Sequence, residues 1–568
     1  MDLMTSQNTL SSARSEGATA AQRLVEALVA NGVTHVFCVP GESYLAVLDA
    51  LANVRDRIQV ITCRHEAGAA NMAEAYAKLT GRPGVCMVTR GPGATQASVG
   101  VHTAQQDSTP MILFVGQVGT TDKGRGAFQE VDYRRVFGDL AKHADELDAP
   151  ARTAEIVGRA FATAQQGRRG PVVLALPEDI LREDGGPAVP GPIRPAQAGL
   201  APDVRDGIAV RLAAAERPLL VLGGSGWSDA ALAAVRGWAE AHALPVALSF
   251  RRKDLLDNDH PCYAGDLGVG MSPVLAARAR QADLIIAVGA RLGELATGGY
   301  TLFTAAETAE RLIHIHPGAE EIGRTWPVAI GAVCDVSPAA FALAGIDPGR
   351  RWPEWRDAAH AEYQAFAAPV PVADAVNLSE VVAHMAEALP ADAIVCNGAG
   401  NFAAWLHRFY RHRRPHTQLA PTSGAMGYGF PAAIAAKILH PDQEVVCFAG
   451  DGDFVMSCQE FATAAQYGAN IVTVVVDNGS YGTIRMHQER EFPGRVIATD
   501  LANPDFAALA RSFGGWGTLV ETTADFPRAL AEARAAGVPA LIHLRTGTEQ
   551  IGPSATISGL RAAAAGKR

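Results

Sequence analysis

Two apolar runs separated by a helical pattern constrain the fold of this chain more than any other feature. The first run, residues 444–450, precedes Asp451, and the second run, residues 470–476, leads to Asn478. Between them, residues 454–468 carry apolar side chains at helical spacing, so the pattern predicts a strand, a helix and a parallel strand. Because ligands bind beyond the carboxyl ends of parallel strands, we expect Asp451 and Asn478 to lie side by side at one sheet edge.

The oxygen atoms at this edge predict a magnesium site. A carboxylate, an amide oxygen and nearby backbone carbonyls suit Mg²⁺, which usually keeps phosphate oxygens and water among its ligands. Gly452 and the start of the following helix would offer N–H groups to such phosphates. A Gly-Asp-Gly sequence alone most often marks a simple turn. Its spacing from Asn478 and the glycines at 479 and 482 favour a binding site instead.

The length of 568 residues is too great for one hydrophobic core, and apolar runs alternate with helical patterns throughout. This alternation predicts the α/β class, with three doubly wound parallel-sheet domains joined by Pro-rich linkers. The predicted domains are residues 17–185, 203–346 and 377–551, with a flexible N-terminal tail at 1–16 and a C-terminal tail at 552–568.

Composition argues against several partners. The net charge of −10 is spread without long runs of one sign, so we expect no nucleic-acid partner. No apolar run is long enough to span a bilayer, and the polar N-terminus lacks the core of a signal peptide. The eight cysteines are scattered without a CxxC pair, which predicts buried reduced thiols in a cytoplasmic protein.

Several motifs, taken together, resemble those of the thiamine diphosphate (ThDP)-dependent enzymes, in particular the acetolactate synthase branch. Besides Asp451 and Asn478, the motifs that carry the resemblance are residues 64–66, 91–95, 127–130, 176–180, 424–431 and 503–506. The resemblance implies the domain order pyrimidine-binding, central and diphosphate-binding. It also implies a homodimer or homotetramer, because the family builds each active site from Glu66 of one subunit and Asp451 of another.

The resemblance assigns roles to the first domain. Glu66 opens a predicted helix and would hydrogen-bond the aminopyrimidine ring of ThDP, starting a relayed proton transfer. The alternative is a glutamate that only interacts favourably with the helix dipole. Phe128 and Gln129 would lie on the substrate side, or else belong to an ordinary loop turn. His102 and Gln106 would also face the site.

The resemblance also assigns cofactor and metal contacts to the third domain. Asp451 and Asn478 would bind the metal through their side chains and Ser480 through its carbonyl. Gly424 would accept the ThDP amine, and Met426 would hold the cofactor in a bent shape. The remaining expected cofactor-binding residues are Asn401, Phe402, Gly450, Gly452, Asp453, Tyr481 and Gly482. Asp453 departs from the family's small residue, and we interpret it as an N-terminal helix cap.

Other departures affect specificity and flavin binding. Asn401 and Phe402 stand where the branch has Gln and His, whereas Thr483 and His487 replace Met and Trp at the acceptor pocket. The branch carries a non-catalytic FAD, and residues 223–224 and 289–291 resemble its contacts. However, residues 292–295 lack the second arginine and 314–317 lack the acids, so FAD is not the favoured cofactor here.

The sequence therefore predicts a ThDP- and Mg²⁺-dependent enzyme that decarboxylates a 2-oxo acid, pyruvate by preference, and joins the product to a second 2-oxo acid. Alternatives within the superfamily are a simple 2-oxo acid decarboxylase and an enzyme similar to glyoxylate carboligase or cyclic-diketone hydrolase. Alternatives outside it are a ThDP-binding scaffold without catalysis and a flavin redox enzyme.

Overall fold

The computed structural model describes residues 17–188 and 191–565, and the predicted tail at 1–16 lies outside these residues. Three sheets, each with six parallel strands, follow one another along the chain, which confirms the predicted fold class. Helices flank each sheet, as expected for strands that are buried on both faces.

The first sheet has the strand order β2-β1-β3-β4-β6-β5. Its strands are β1 His35–Cys38, β2 Gln59–Thr62, β3 Gly84–Val88, β4 Met111–Gln117, β5 His143–Glu146 and β6 Pro171–Pro177. Its helices are α1 Ala20–Ala30, α2 Leu45–Ala52, α3 Glu66–Thr80, α4 Pro92–Asp107, α5 Tyr133–Phe137 and α6 Thr153–Gln165.

The second sheet has the strand order β12-β11-β10-β7-β8-β9. Its strands are β7 Pro218–Leu222, β8 Val246–Ser249, β9 Tyr263–Leu267, β10 Leu284–Val288, β11 Leu312–His316 and β12 Ile330–Val333. Its helices are α7 Pro202–Ala214, α8 Asp229–His242, α9 Pro273–Gln281, α10 Ala305–Arg311, α11 Val336–Ala344 and α12 Pro353–Phe366.

The third sheet has the strand order β14-β13-β15-β16-β18-β17. Its strands are β13 Ile394–Asn397, β14 Gln418–Leu419, β15 Val445–Gly450, β16 Val472–Asp477, β17 Trp516–Val520 and β18 Ala540–Arg545. Its helices are α13 Leu378–Ala388, α14 Phe402–Phe409, α15 Gly429–Leu439, α16 Asp451–Val455, α17 Phe461–Gln466, α18 Gly482–Glu491, α19 Phe506–Ser512 and α20 Phe526–Ala535.

The register of the third sheet places the predicted site. Gly450 on β15 pairs with Val476 on β16, so Asp451 and Asn478 leave neighbouring strands at the same edge. The strand order reverses between β13 and β15, and ligands of doubly wound sheets bind outside such a switch point. The loop that follows β13, residues 398–401, therefore faces the same space as Asp451.

Two segments differ from the sequence prediction. The helix expected over 454–468 is broken into α16, a short 3₁₀ helix Cys458–Glu460 and α17, because Ser457 leaves the helical conformation (φ −138°). Residues 552–565, expected to be part of a tail, instead belong to a small hairpin and a helix that packs against α18. These elements are β19 Gln550–Gly552, β20 Ala555–Thr556 and α21 Ile557–Ala565.

The first and third units share one hydrophobic core. Apolar side chains of α3 and α15 belong to the same buried cluster, in which Met72, Tyr428 and Phe430 are at most 2% exposed. Each large apolar side chain buried in this cluster contributes about 1.5–3 kcal/mol, so the shared core holds the two units together. None of the helices in the described part of the chain combines the length and the apolarity needed to cross a membrane.

Candidate active site

The carboxyl ends of β13, β15 and β16 surround a cavity of about 470 Å³. Every residue of the third unit that was predicted to bind the cofactor or metal lines this cavity, namely Asn401, Phe402, Gly424, Met426, Gly450, Asp451, Gly452, Asp453, Asn478, Ser480, Tyr481 and Gly482. Gly424 is in the left-handed region (φ 70°), and a Cβ there would meet no atom within 4 Å. The cavity therefore leaves open space beside this backbone turn.

Hydrogen bonds hold the metal-ligand candidates in place. The Asp451 carboxylate accepts from Gly452 N at 2.8 Å and from Asn503 Nδ2 at 2.8 Å. Asn478 Oδ1 accepts from Ser480 N at 3.1 Å, and Ser480 Oγ is buried without a hydrogen-bond partner among the described residues. Burial raises the pKa of Asp451 to about 6, because the ionised carboxylate is desolvated, and a cation beside it would stabilise the ionised form. These oxygen donors fit Mg²⁺.

Asp453 does not act as the predicted helix cap. The residue at the N-cap of α16 is Gly450, and Asp453 lies inside the first turn of the helix. Its buried carboxylate accepts from Gly427 N at 2.8 Å and from Ala399 N at 3.3 Å, and burial raises its pKa to about 7. Asp453 thus ties together the two loops on either side of the cavity.

The departures at Asn401 and Thr483 compensate each other. Asn401 Nδ2 donates to Ile551 O at 2.8 Å and to Gly482 O at 3.2 Å, while its Oδ1 accepts from the Thr483 hydroxyl at 3.0 Å. The hydroxyl of Thr483 is therefore engaged within the protein, although Thr483 lines the cavity. His487 is exposed and is not among the residues that line this cavity.

The predicted residues of the first unit form a second group, apart from this cavity. Glu66 begins α3 as predicted and is 9% exposed, with Oε1 3.3 Å from the position of a Cβ on Gly93. Gln129 has a positive φ of 64° and packs against Gly91, and its Oε1 is buried without a partner in the described part of the chain. Phe128 is 75% exposed. Within one copy, these residues do not line the cavity that contains Asp451.

Three family models match the chain in the order of its sheets. The model described as thiamine pyrophosphate enzyme, N-terminal TPP binding domain, matches residues 18–136. The central-domain model matches residues 206–343, and the C-terminal TPP binding domain matches residues 398–544. Thiamine pyrophosphate is another name for ThDP.

Relatives of known activity match over almost the whole length. An acetolactate synthase large subunit of Parasynechococcus marenigrum is 33% identical, covering 93% of this chain and 88% of that protein. Acetolactate synthase of Arthrospira platensis is 31% identical, covering 93% of this chain and 94% of that protein. The acetolactate synthase isozyme 2 large subunit of Escherichia coli is 30% identical, covering 92% of this chain and 95% of that protein. The chain belongs to the thiamine pyrophosphate enzyme family. The resemblance inferred from the sequence is thereby confirmed, and the protein is a ThDP-dependent enzyme similar to acetolactate synthases.

In this ThDP enzyme, Glu460 fixes the loop that precedes Glu66. Its buried carboxylate accepts from His65 N at 2.9 Å and from Arg64 N at 3.1 and 3.2 Å. Glu460 lies in the 3₁₀ helix that interrupts the predicted helix, and from this position its carboxylate reaches the loop before Glu66. The third unit thereby sets the position of the first turn of α3.

A further cavity of about 490 Å³ lies between the first and second units of the ThDP enzyme. His102 and Gln106 line this cavity, not the one beside Asp451. Arg291 donates to Gln106 O at 3.0 Å, and its Nε lies 3.3 Å from the buried carboxylate of Glu321. Burial, with the neighbouring His314, lowers the pKa of His316 to about 4, so this histidine is neutral near pH 7.

Several residues that line the cavity beside Asp451 were not predicted from the sequence. The second unit contributes Phe250, Arg251, Val269 and Leu295 to its wall, and the segment after β18 contributes Gln550 and Ile551. Nothing in their local pattern marks them, because long-range packing brings them there. Asn503 belongs to a motif noted in the sequence, but its contact with Asp451 was not anticipated.

Proposed function

We propose that this enzyme catalyses the ThDP- and Mg²⁺-dependent decarboxylation of pyruvate and joins the two-carbon unit to a second 2-oxo acid. The observation that carries the proposal is the cavity at the switch point of the third sheet, where the expected cofactor and metal residues of the third unit meet. The names of the relatives support the same reaction class.

In this proposal, Asp451, Asn478 and Ser480 hold Mg²⁺, which would clamp the diphosphate of ThDP. When bound, ThDP supplies the electron sink that decarboxylation requires. Gly424 and Met426 orient the cofactor, and Glu66 exchanges a proton with its pyrimidine ring. Asp453 contributes by fixing the loops at 399 and 427, which would support the cofactor.

A complete site in this proposal requires two copies of the chain, as a homodimer or homotetramer. Glu66 and Gln129 lie outside the cavity of their own copy, and a second copy would bring them to it. Phe128 is an exposed apolar ring that a partner would cover while it forms part of the substrate wall. We place this assembly in the cytoplasm, since all eight cysteines are unpaired and seven are buried.

Product analysis with pyruvate, glyoxylate and a cyclic diketone, each supplied as the sole substrate, tests the proposal. The outcome with pyruvate is the decisive one. We expect CO₂ release that requires both ThDP and Mg²⁺, with acetolactate as the product. Acetaldehyde alone would indicate a simple decarboxylase, whereas turnover of only glyoxylate or a cyclic diketone would indicate the other branches. Bound ThDP without turnover of any of these substrates would identify a scaffold and contradict the proposed activity.

We further propose that the enzyme works without flavin. Arg291 donates to Gln106 O and lies beside the Glu321 carboxylate in the second cavity, and the buried His314 and His316 stand at positions where the branch has acids. We therefore expect the purified enzyme to lack the visible absorbance of a flavin and to need no added FAD for full activity. A flavin spectrum that survives gel filtration would refute this.

A further inference from the structure

The side chain of Asn503 lies between two carboxylates at the edge of the ThDP cavity. Its Nδ2 is 2.8 Å from Asp451 Oδ2 and 2.8 Å from Asp477 Oδ1. Because an amide nitrogen carries two hydrogens, Asn503 can donate to both carboxylates at once. Without this amide group, the two acidic side chains would face each other with no donor between them.

Asp477 is itself held by two further donors. The Nε2 atom of His543 lies 2.7 Å from Asp477 Oδ2, and Gly479 N donates to Asp477 Oδ1 at 3.0 Å. His543 is 1% exposed, and its ring packs edge-on against Phe506. Its packing against Phe506 orients the imidazole ring, and the hydrogen bond from this ring orients the carboxylate of Asp477.

The same segment of chain also supports the loop that carries Asn478 and Ser480. Leu501 N donates to Gly479 O at 2.8 Å, and Tyr481 N donates to Thr499 O at 2.8 Å. Residues 499–503 thus run antiparallel to this loop and then reach Asp451 through Asn503. We call residues 499–503 the brace.

We propose that the brace, through Asn503 and the Asp477–His543 pair, positions both halves of the metal site. Asn503 fixes the rotamer of Asp451, while Asp477 fixes the loop with Asn478 through Gly479. The inference rests on the proposed Mg²⁺ site, and it assigns to Asn503, Asp477 and His543 a positioning role instead of direct contact with the metal. Substitution of a residue that hydrogen-bonds to a metal ligand typically weakens metal binding by about 10–100-fold.

The test measures Mn²⁺ binding to the full chain in the presence of saturating ThDP, by the EPR signal of the free ion. We expect Asn503→Leu, which keeps the approximate volume but removes both donors, to raise the Mn²⁺ dissociation constant by about 10–100-fold. Turnover should recover when Mg²⁺ is raised to saturation, since the metal ligands remain. A matched control is Asn470→Leu, because Asn470 bonds Gly537 O near the opposite end of β16.

Variants of His543 separate positioning from folding. His543→Gln can still donate to Asp477 and should keep most of the affinity, whereas His543→Phe should weaken it as Asn503→Leu does. Unchanged Mn²⁺ affinity in Asn503→Leu would overturn the inference. An equal loss of affinity in Asn470→Leu would overturn it as well. If the parent protein itself bound no metal, the proposed function would fail instead.

Discussion

Replacing Glu66 by Gln should reduce turnover of the 2-oxo acid by about 10²–10⁴-fold, because general acid–base catalysis contributes a factor of this size. Glutamine keeps the shape and the buried position at the start of α3 but cannot exchange a proton with the pyrimidine ring. ThDP and Mg²⁺ should still bind, since their ligands lie in the third unit. The measurements are kcat and the ThDP-dependent quenching of protein fluorescence.

The matched control for this variant is Glu155→Gln. Glu155 lies in the first turn of α6 and is exposed, so it shares the helix-dipole environment without facing a site. If Glu66 acted only through the dipole, both variants would behave alike, with a small loss of stability. Near-normal turnover in Glu66→Gln would remove this residue from the mechanism.

The second large effect is expected for Asp451→Ala. The proposed metal site would lose its one carboxylate ligand. The affinity for Mg²⁺ should therefore fall by at least ~100-fold, the upper end of the effect of substituting a residue that only hydrogen-bonds to a ligand. ThDP binding, which the metal mediates, should weaken with it, and activity should be lost. Titration of the apo protein with ThDP at fixed Mg²⁺ measures the effect. Asp442→Ala is the control, since Asp442 is exposed and precedes β15, at the opposite end of that strand from Asp451.

The two variants together test whether each site is built from two copies. In a mixed assembly, one site would combine an intact Glu66 with an intact Asp451, and the other site would contain both substitutions. Random mixing of equal amounts should therefore restore about one quarter of the parent activity. If Glu66 served the cavity of its own copy, no activity would return.

The sequence predicted the elements that build the third sheet because their signals are local. β15 and β16 are continuous apolar runs, as strands buried on both faces must be, and their ends carry Asp451 and Asn478. The position of both residues at one edge followed from strand parallelism alone. The same reasoning placed Glu66 at the start of α3, directly after a loop that follows β2.

The features that sequence reasoning missed depend on contacts between distant segments. Asp453 looked like a helix cap because an acid in a first turn commonly serves as one. Its Oδ1 atom instead accepts hydrogen bonds from the backbone N–H groups of Ala399 and Gly427. Arg251 lines the cavity from the second unit and donates to Pro421 O. No local sequence pattern predicts this position.

The contact between Glu460 and the loop at Arg64 and His65 has a consequence for the assembled enzyme. Residues 451–460 connect Asp451, the proposed metal ligand, to Glu460, which fixes the loop before Glu66. If Glu66 acts in the cavity of a neighbouring copy, this short stretch connects the metal site of one cavity to the residue that would transfer a proton in the other. A change in its geometry when one centre fills would then reach the proton-transferring acid of the other, so the centres need not act independently.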